Sequence, residues 1–151
     1  MTLRRIVLVE DSPRDAELTL NALKGIVANE VVHLRDGAEA LEYLFRRGAF
    51  ASRPADPPAV VLLDLKMPKV DGLEVLRAVK SDPVLKTIPV VVMTSSREEW
   101  DLVRSYAAGV NAYVVKPLKF AEFADAVRQL GVFWAVLNEP PPEPANGAST
   151  G

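Results

Sequence analysis

The chain has 151 residues, 49% hydrophobic and 25% charged, with a formal net charge of −2 at pH 7 and no cysteine. That length holds one domain with a real core, the near-neutral charge gives no field for gathering nucleic acid, and the lack of cysteine excludes disulfides and thiolate metal sites. No apolar run approaches the roughly 20 residues that cross a bilayer, and Met1-Thr2-Leu3-Arg4-Arg5 has no features of a secretory leader, so a cytoplasmic protein without membrane contact is expected.

In chain order, the first predicted strand is Ile6 to Glu10. Ser12 then has the pattern of a helix N-cap, with Pro13 at the first helical position and Asp15 three residues after the cap. The helix is expected to reach about Lys24, with Ala16, Leu20 and Leu23 on one face and Gly25 as its stop. A second strand is predicted at Val31 to Leu34. Asp36 with Glu39 opens a second helix, running to about Phe45. Gly48 to Pro58 contains Pro54, Pro57 and Pro58 and reads as a long loop. The third strand is Val60 to Asp64. Pro68 and Asp71-Gly72 mark a turn before a helix from Leu73 to Lys80. Pro83 to Thr87 leads into a fourth strand, Pro89 to Thr94. A helix over Glu98 to Ala107 ends at Gly109, and the fifth strand is Ala112 to Lys116. Strands and helices alternating in this way predict a parallel sheet with helices on both faces.

The last helix carries Phe120, Phe123, Val127, Leu130, Trp134 and Leu137 at alternating spacings of three and four, close to a heptad seam. Gly131 interrupts it. From Glu139 onward Pro140, Pro141, Pro142 and Pro144 forbid a helix, so a Pro-rich disordered tail at 139–151 is expected after a domain spanning 1–138. No internal repeat and no second domain are found.

Four predicted strands end in residues that carry chemistry: Glu10 with Asp11, Asp64, Thr94 and Lys116. In an open parallel sheet the carboxyl ends of the strands share one edge, where ligands bind. Three carboxylates gathered there repel each other unless a cation lies among them. Asp64 is the candidate nucleophile, because a carboxylate can accept a phosphoryl group as an acyl phosphate. Attack on a phosphate dianion by an anion needs charge neutralisation, which a hard divalent cation such as Mg²⁺ supplies through oxygen ligands. The candidate ligands are Asp11, Glu10 (directly or through water), Asp64 and the backbone carbonyl of Lys66, with Mn²⁺ as the alternative ion. Lys116 would bring a point charge to the phosphoryl oxygens. Thr94 would donate a hydroxyl hydrogen bond. Pro117 follows Lys116 in a turn where an X-Pro bond can be cis. Taken singly, each residue has an ordinary reading: Glu10-Asp11 as solvated acids at a helix start, Thr94 as a capping hydroxyl, Lys116-Pro117 as a strand exit. Together they describe one site.

The same residues give the chain a family likeness. Val9-Glu10-Asp11-Ser12, Leu62-Leu63-Asp64-Leu65-Lys66-Met67-Pro68 with Asp71-Gly72, Met93-Thr94-Ser95-Ser96, Gly109-Val110-Asn111-Ala112-Tyr113 and Val115-Lys116-Pro117 resemble the motifs of response-regulator receiver domains of two-component systems. The resemblance covers about Arg4 to Leu130. It implies a flavodoxin-like (βα)5 fold, a doubly wound parallel sheet of strand order 2-1-3-4-5, Mg²⁺ binding, and phosphorylation of Asp64 by a sensor histidine kinase. It also implies a switch in which the Thr94 hydroxyl moves toward the phosphoryl group and Tyr113 changes its exposure, biasing the surface of the fourth helix, fifth strand and fifth helix. Simple strand packing is the alternative for Tyr113. Glu10 stands where many receivers have Asp, keeping the charge on a longer arm.

No DNA-binding or enzymatic output domain is expected after the receiver, and the loop before the third strand is longer than in a minimal receiver. In both respects the chain is similar to the single-domain regulators paired with bacterial phytochrome kinases. That likeness implies a homodimer built with the C-terminal aromatic segment at about 131–138, through Phe133, Trp134 and Leu137. Trp134 folded back onto its own domain is the alternative. The expected partners are a sensor histidine kinase, a second copy and a downstream phosphotransfer protein, with no direct nucleic acid. The protein is expected to be a phosphoacceptor that later loses its phosphoryl group to water, and not an enzyme.

Three other readings compete. A haloacid-dehalogenase-type phosphohydrolase usually has a second aspartate two residues after the nucleophile, where this chain has Lys66. A flavodoxin-like cofactor carrier would need a Thr-, Ser- or Gly-rich loop where this chain has Glu10-Asp11-Ser12-Pro13, whose carboxylates would repel a flavin phosphate. A phosphorylation-independent interaction module would not need the full set of acids with Thr94 and Lys116. Trp100 is open between core and partner surface, and His33, the single histidine, reads as structural or surface.

Overall fold

The computed structural model describes residues 4–24, 27–65, 67, 71–104 and 112–130, with the backbone alone for 102–104. Gly25, Lys66, Pro68, Gly109, Val110, Asn111, Gly131, Phe133, Trp134, Leu137 and the 139–151 tail lie outside the described residues.

Five strands, β1 (Ile6–Val9), β2 (Val31–Leu34), β3 (Val60–Asp64), β4 (Val90–Thr94) and β5 (Tyr113–Val115), alternate with five helices. The helices are α1 (Pro13–Leu23), α2 (Gly37–Phe45), α3 (Gly72–Ser81), α4 (Arg97–Arg104) and α5 (Phe120–Gln129). Side-chain caps close four of them, two at the predicted Ser12 and Asp36 and two at Asp71 and Ser96, which sequence reasoning did not assign as caps. Ser12 Oγ accepts the Asp15 N–H at 3.2 Å, Asp36 Oδ1 the Glu39 N–H at 2.8 Å, and Asp71 Oδ1 the Glu74 N–H at 2.9 Å. At α4 the capping hydroxyl is Ser96, which accepts the Glu99 N–H at 3.1 Å. Each such cap is worth about 1 kcal/mol. Here the caps also fix where the chain turns from strand into helix, which is the functional edge.

The strands form one parallel sheet in the order β2-β1-β3-β4-β5. Helices cover both faces, so β1, β3 and β4 are buried along their whole length. The two faces divide their side chains by alternation. Val7, Val9, Val61, Leu63, Val90 and Val92 pack with α2, α3 and Trp100 of α4. Ile6, Leu8, Val60, Leu62, Val91 and Met93 pack with α1 and α5. This second layer accounts for the α5 spacing: Phe123 and Val127 are fully buried and Leu130 packs against them, whereas Phe120 is 54% exposed. The part of the heptad-like stripe from Phe123 to Leu130 therefore serves the domain's own core, while Phe120 at its start does not.

The long loop is more built than its sequence suggests. It opens with a 3-10 turn, Gly48–Phe50. Arg53 then donates from Nε to the Tyr43 carbonyl and from Nη1 to the Pro54 carbonyl, both at 2.7 Å, and lies 4.4 Å over the Tyr43 ring. One guanidinium thus ties the loop to the end of α2, because its planar fork reaches several carbonyls from a single position.

Candidate phosphoryl-acceptor site

The register places the strand-end residues together. Val9 pairs with Leu63, so Glu10 is level with Asp64; Asp64 pairs with Met93 and Thr94 with Val115, so Thr94 follows one step along and Lys116 two. The Lys116 N–H donates to the Thr94 carbonyl at 2.9 Å, and the Glu10 N–H to the Leu34 carbonyl at 3.0 Å. After β1 the chain leaves toward β2, and after β3 it leaves toward β4. The site lies over this divergence, where a doubly wound sheet opens a crevice.

Glu10, Asp11 and Asp64 each offer one carboxylate oxygen within 4.8 Å of the others. Glu10 and Asp64 are buried and Asp11 is partly exposed. Three hard oxygen donors at this spacing suit a divalent cation. The same row receives one ammonium. Lys116 Nζ lies 2.8 Å from Glu10 Oε1, 3.2 Å from Asp15 Oδ2 and 3.3 Å from Asp64 Oδ2. Burial alone would lower the Lys116 pKa, but Glu10, Asp64 and Asp15 outweigh it and hold the group raised. The lysine is a permanent cation at neutral pH. The Lys116-Pro117 bond that follows is cis.

Thr94 is fully buried, and among the described residues its hydroxyl has no hydrogen-bond partner. A buried hydroxyl left unbonded costs about 1–3 kcal/mol. Just beyond it, Glu99 accepts from both the N–H and the hydroxyl of Ser95, at 3.3 and 3.1 Å. Tyr113 is half-buried and stacks on Trp100, with ring centroids 4.7 Å apart and an interplanar angle of 19°. Trp100 itself is buried. The backbone beneath Asp64 is equally constrained. The Gly72 N–H donates to the Leu65 carbonyl at 3.0 Å, and a Cβ on Gly72 would overlap the Asp64 carbonyl oxygen and stand 2.6 Å from Leu65 Cα. Close approach of α3 to the end of β3 requires glycine there.

The structure brings Glu10, Asp11, Asp64, Thr94 and Lys116 to one edge, and stacks Tyr113 of β5 on Trp100 of α4. Sequence reasoning treated Asp15 as a helix-capping acid only. Its carboxylate reaches Lys116 across 101 residues, a contact that nothing local announces. Sequence reasoning read His33 as structural or surface, and the structure gives it a structural contact: the His33 Nε2 meets the Glu10 carbonyl at 2.8 Å and so braces the first acidic residue from β2.

This fold and edge define a receiver: the chain belongs to the response regulator receiver domain family, whose pattern it matches over residues 6–128. Among solved structures it is similar to the bacteriophytochrome response regulator AtBRR, with 64% identity and a TM-score of 0.87 over 92% of this chain and 100% of that one. Response regulator Rcp1 of Synechocystis sp. is 41% identical over 130 residues, 85% of this chain and 87% of Rcp1. A Mn(2+)-bound form of Rcp1 superposes with a TM-score of 0.69 at 38% identity, over 92% of this chain and 99% of that one. The phosphorylated cyanobacterial phytochrome response regulator RcpA does so with a TM-score of 0.70 at 42% identity, over 91% and 100%. Among the described residues no helix is long and apolar enough to cross a membrane.

Proposed function

We propose that the protein is a single-domain response regulator that accepts a phosphoryl group on Asp64 from the phosphohistidine of a sensor kinase of the bacterial phytochrome type. An Asp64 carboxylate oxygen attacks phosphorus, the O–P bond forms as the P–N bond breaks, and the imidazole nitrogen leaves with the electron pair. The observation that carries this reading is the meeting of a buried carboxylate, the Lys116 ammonium at 3.3 Å from it and the unbonded Thr94 hydroxyl at one sheet edge. Lys116 neutralises charge on the transferred group, and Thr94 donates to it. Glu10, Asp11, Asp64 and the Lys66 carbonyl would hold Mg²⁺, which supplies charge neutralisation at the phosphoryl oxygens. Hydrolysis of the acyl phosphate by water resets the domain, which acts as a phosphoacceptor and signals by binding instead of catalysing turnover.

New negative charge at Asp64 would draw Thr94 toward it and vacate space beside Tyr113. The stacked Trp100–Tyr113 pair supports a coupled response of α4 and β5. The changed surface would engage a kinase, a downstream phosphotransfer protein or a second copy in the cytoplasm, the last through Phe133, Trp134 and Leu137. Incubation with Mg²⁺ and a phosphorylated kinase or acetyl phosphate should label the wild-type chain and not Asp64→Asn. Absence of label, or label that survives the substitution, would sink the reading and leave a phosphorylation-independent module. Size measurement of Phe133→Ala and Trp134→Ala should give monomer; an unchanged dimer places the interface elsewhere.

A further inference from the structure

We propose that Asp15 is a positioning residue for phosphoryl transfer, the anchor that keeps the Lys116 ammonium at the site while Glu10 and Asp64 are engaged by a cation or a phosphoryl group; this rests on the reading of Asp64 as phosphoacceptor. An ammonium has three N–H groups, and Glu10, Asp15 and Asp64 stand within 3.3 Å of Lys116 Nζ. Two of those three belong to the mutually close carboxylate cluster of Glu10, Asp11 and Asp64, and Asp15 does not. A cation bound in the cluster therefore competes with Lys116 for Glu10 and Asp64 and leaves Asp15 as its undisturbed partner.

Asp15 is also fixed independently of the strand ends. It sits in the first turn of α1, where the Ser12 hydroxyl accepts its N–H, and its carboxylate accepts from Lys116 at 3.2 Å. Together with Lys116 it lines a cavity of about 290 Å³ completed by Arg14, Leu18, Thr19 and Pro117. A lysine has a flexible four-carbon stem that must be ordered when charge develops on the transferred group. A carboxylate on a capped helix supplies that order. The ordinary role of an acid at this helix position is to complement the helix dipole. The two roles differ in one respect: only the positioning role acts through Lys116.

The test measures the initial rate at which the full chain takes label from radiolabelled acetyl phosphate with Mg²⁺, in wild-type and Lys116→Met backgrounds. Asp15→Asn should slow labelling about three- to fivefold, the size of a partly exposed charged pair, and Asp15→Glu should restore most of the rate. In the Lys116→Met background Asp15→Asn should change the rate by less than about 1.5-fold, as for a residue whose effect is already removed. Side-chain NMR of Lys116 in the Mg²⁺-loaded protein should show the Cε–Nζ segment becoming mobile in Asp15→Asn. An undiminished rate in Asp15→Asn, equal slowing in both backgrounds or an unchanged Lys116 signal each overturns the proposal. A wild-type chain that takes no label instead overturns the phosphoacceptor reading on which it rests.

Discussion

Replacing Asp64 by asparagine should make the cation-free protein more stable. Asp64 is buried, with Glu10 and Asp11 carboxylate oxygens within 4.8 Å. At an effective dielectric of about 20, like charges at that separation repel by about 3.5 kcal/mol per pair. Lys116, 3.3 Å from Asp64, offsets about 5 kcal/mol at the same dielectric. These charge–charge terms by themselves leave Asp64 unfavourable by about 2 kcal/mol, with the desolvation of a buried carboxylate and the other contacts of Asp64 to be added. An amide of nearly the same shape removes both the repulsion and that desolvation. Urea unfolding with a chelator present should therefore give Asp64→Asn about 2 kcal/mol of added stability, and thermal unfolding a rise of about 4–8 °C for a chain of this size. Saturating Mg²⁺ should narrow the gap. A ligand at a hundred times its Kd stabilises the native state by about 2.7 kcal/mol, and the variant has lost one of the oxygen donors that hold it. A variant no more stable than wild type with chelator, or a gap that widens with Mg²⁺, would refute the picture of a site kept under electrostatic strain for its chemistry.

Thr94→Val should raise stability by about 1 kcal/mol in urea unfolding, since it removes a buried, unbonded hydroxyl and nearly keeps the shape; a loss would mean that the hydroxyl is bonded in solution. Gly72→Ala should cost about 1–3 kcal/mol, because the methyl group must displace the Asp64–Leu65 backbone. Its phosphorylation rate should fall further than its stability, and an unperturbed rate would show that the acceptor backbone yields freely. Lys116 gives a pH prediction. Its pKa is raised above the ordinary 10.5, so the folded chain holds a proton that the unfolded chain releases once pH passes that value. The lysine's contribution is thus complete below about 10.5 and falls as pH rises through the folded pKa. The urea midpoint difference between wild type and Lys116→Met should be flat in pH from 8 to about 10 and shrink above it; a difference that grows with alkalinity contradicts the ion-pair assignment.

The fold was legible where one local rule decides an element. Ser12-Pro13 and Asp36 start helices because a side-chain oxygen can accept a free N–H three residues on. The runs at β1, β3 and β4 read as buried strands because both faces of a parallel sheet are covered. The loop at 48–58 was under-read, since one arginine spanning carbonyls of α2 and the loop has no periodic signature. The stripe on α5 had two destinations with the same spacing, and only packing assigned Phe123 and Val127 to the core. Trp100 stood between core and surface, and its burial in the layer with β3 and β4 places it inside.

For the site, chain order and residue type were enough to nominate Glu10, Asp11, Asp64, Thr94 and Lys116, because parallel strands must present their carboxyl ends at one edge. Charge, donor type and hardness are properties of the residues themselves and travel with the sequence. Distance is not. The sharing of one ammonium among Glu10, Asp64 and Asp15, the unbonded state of the Thr94 hydroxyl and the bracing of Glu10 by His33 depend on how α1, β2 and β5 come to rest against each other. Those contacts join residues far apart in the chain through packing, and only the assembled sheet and helices decide them.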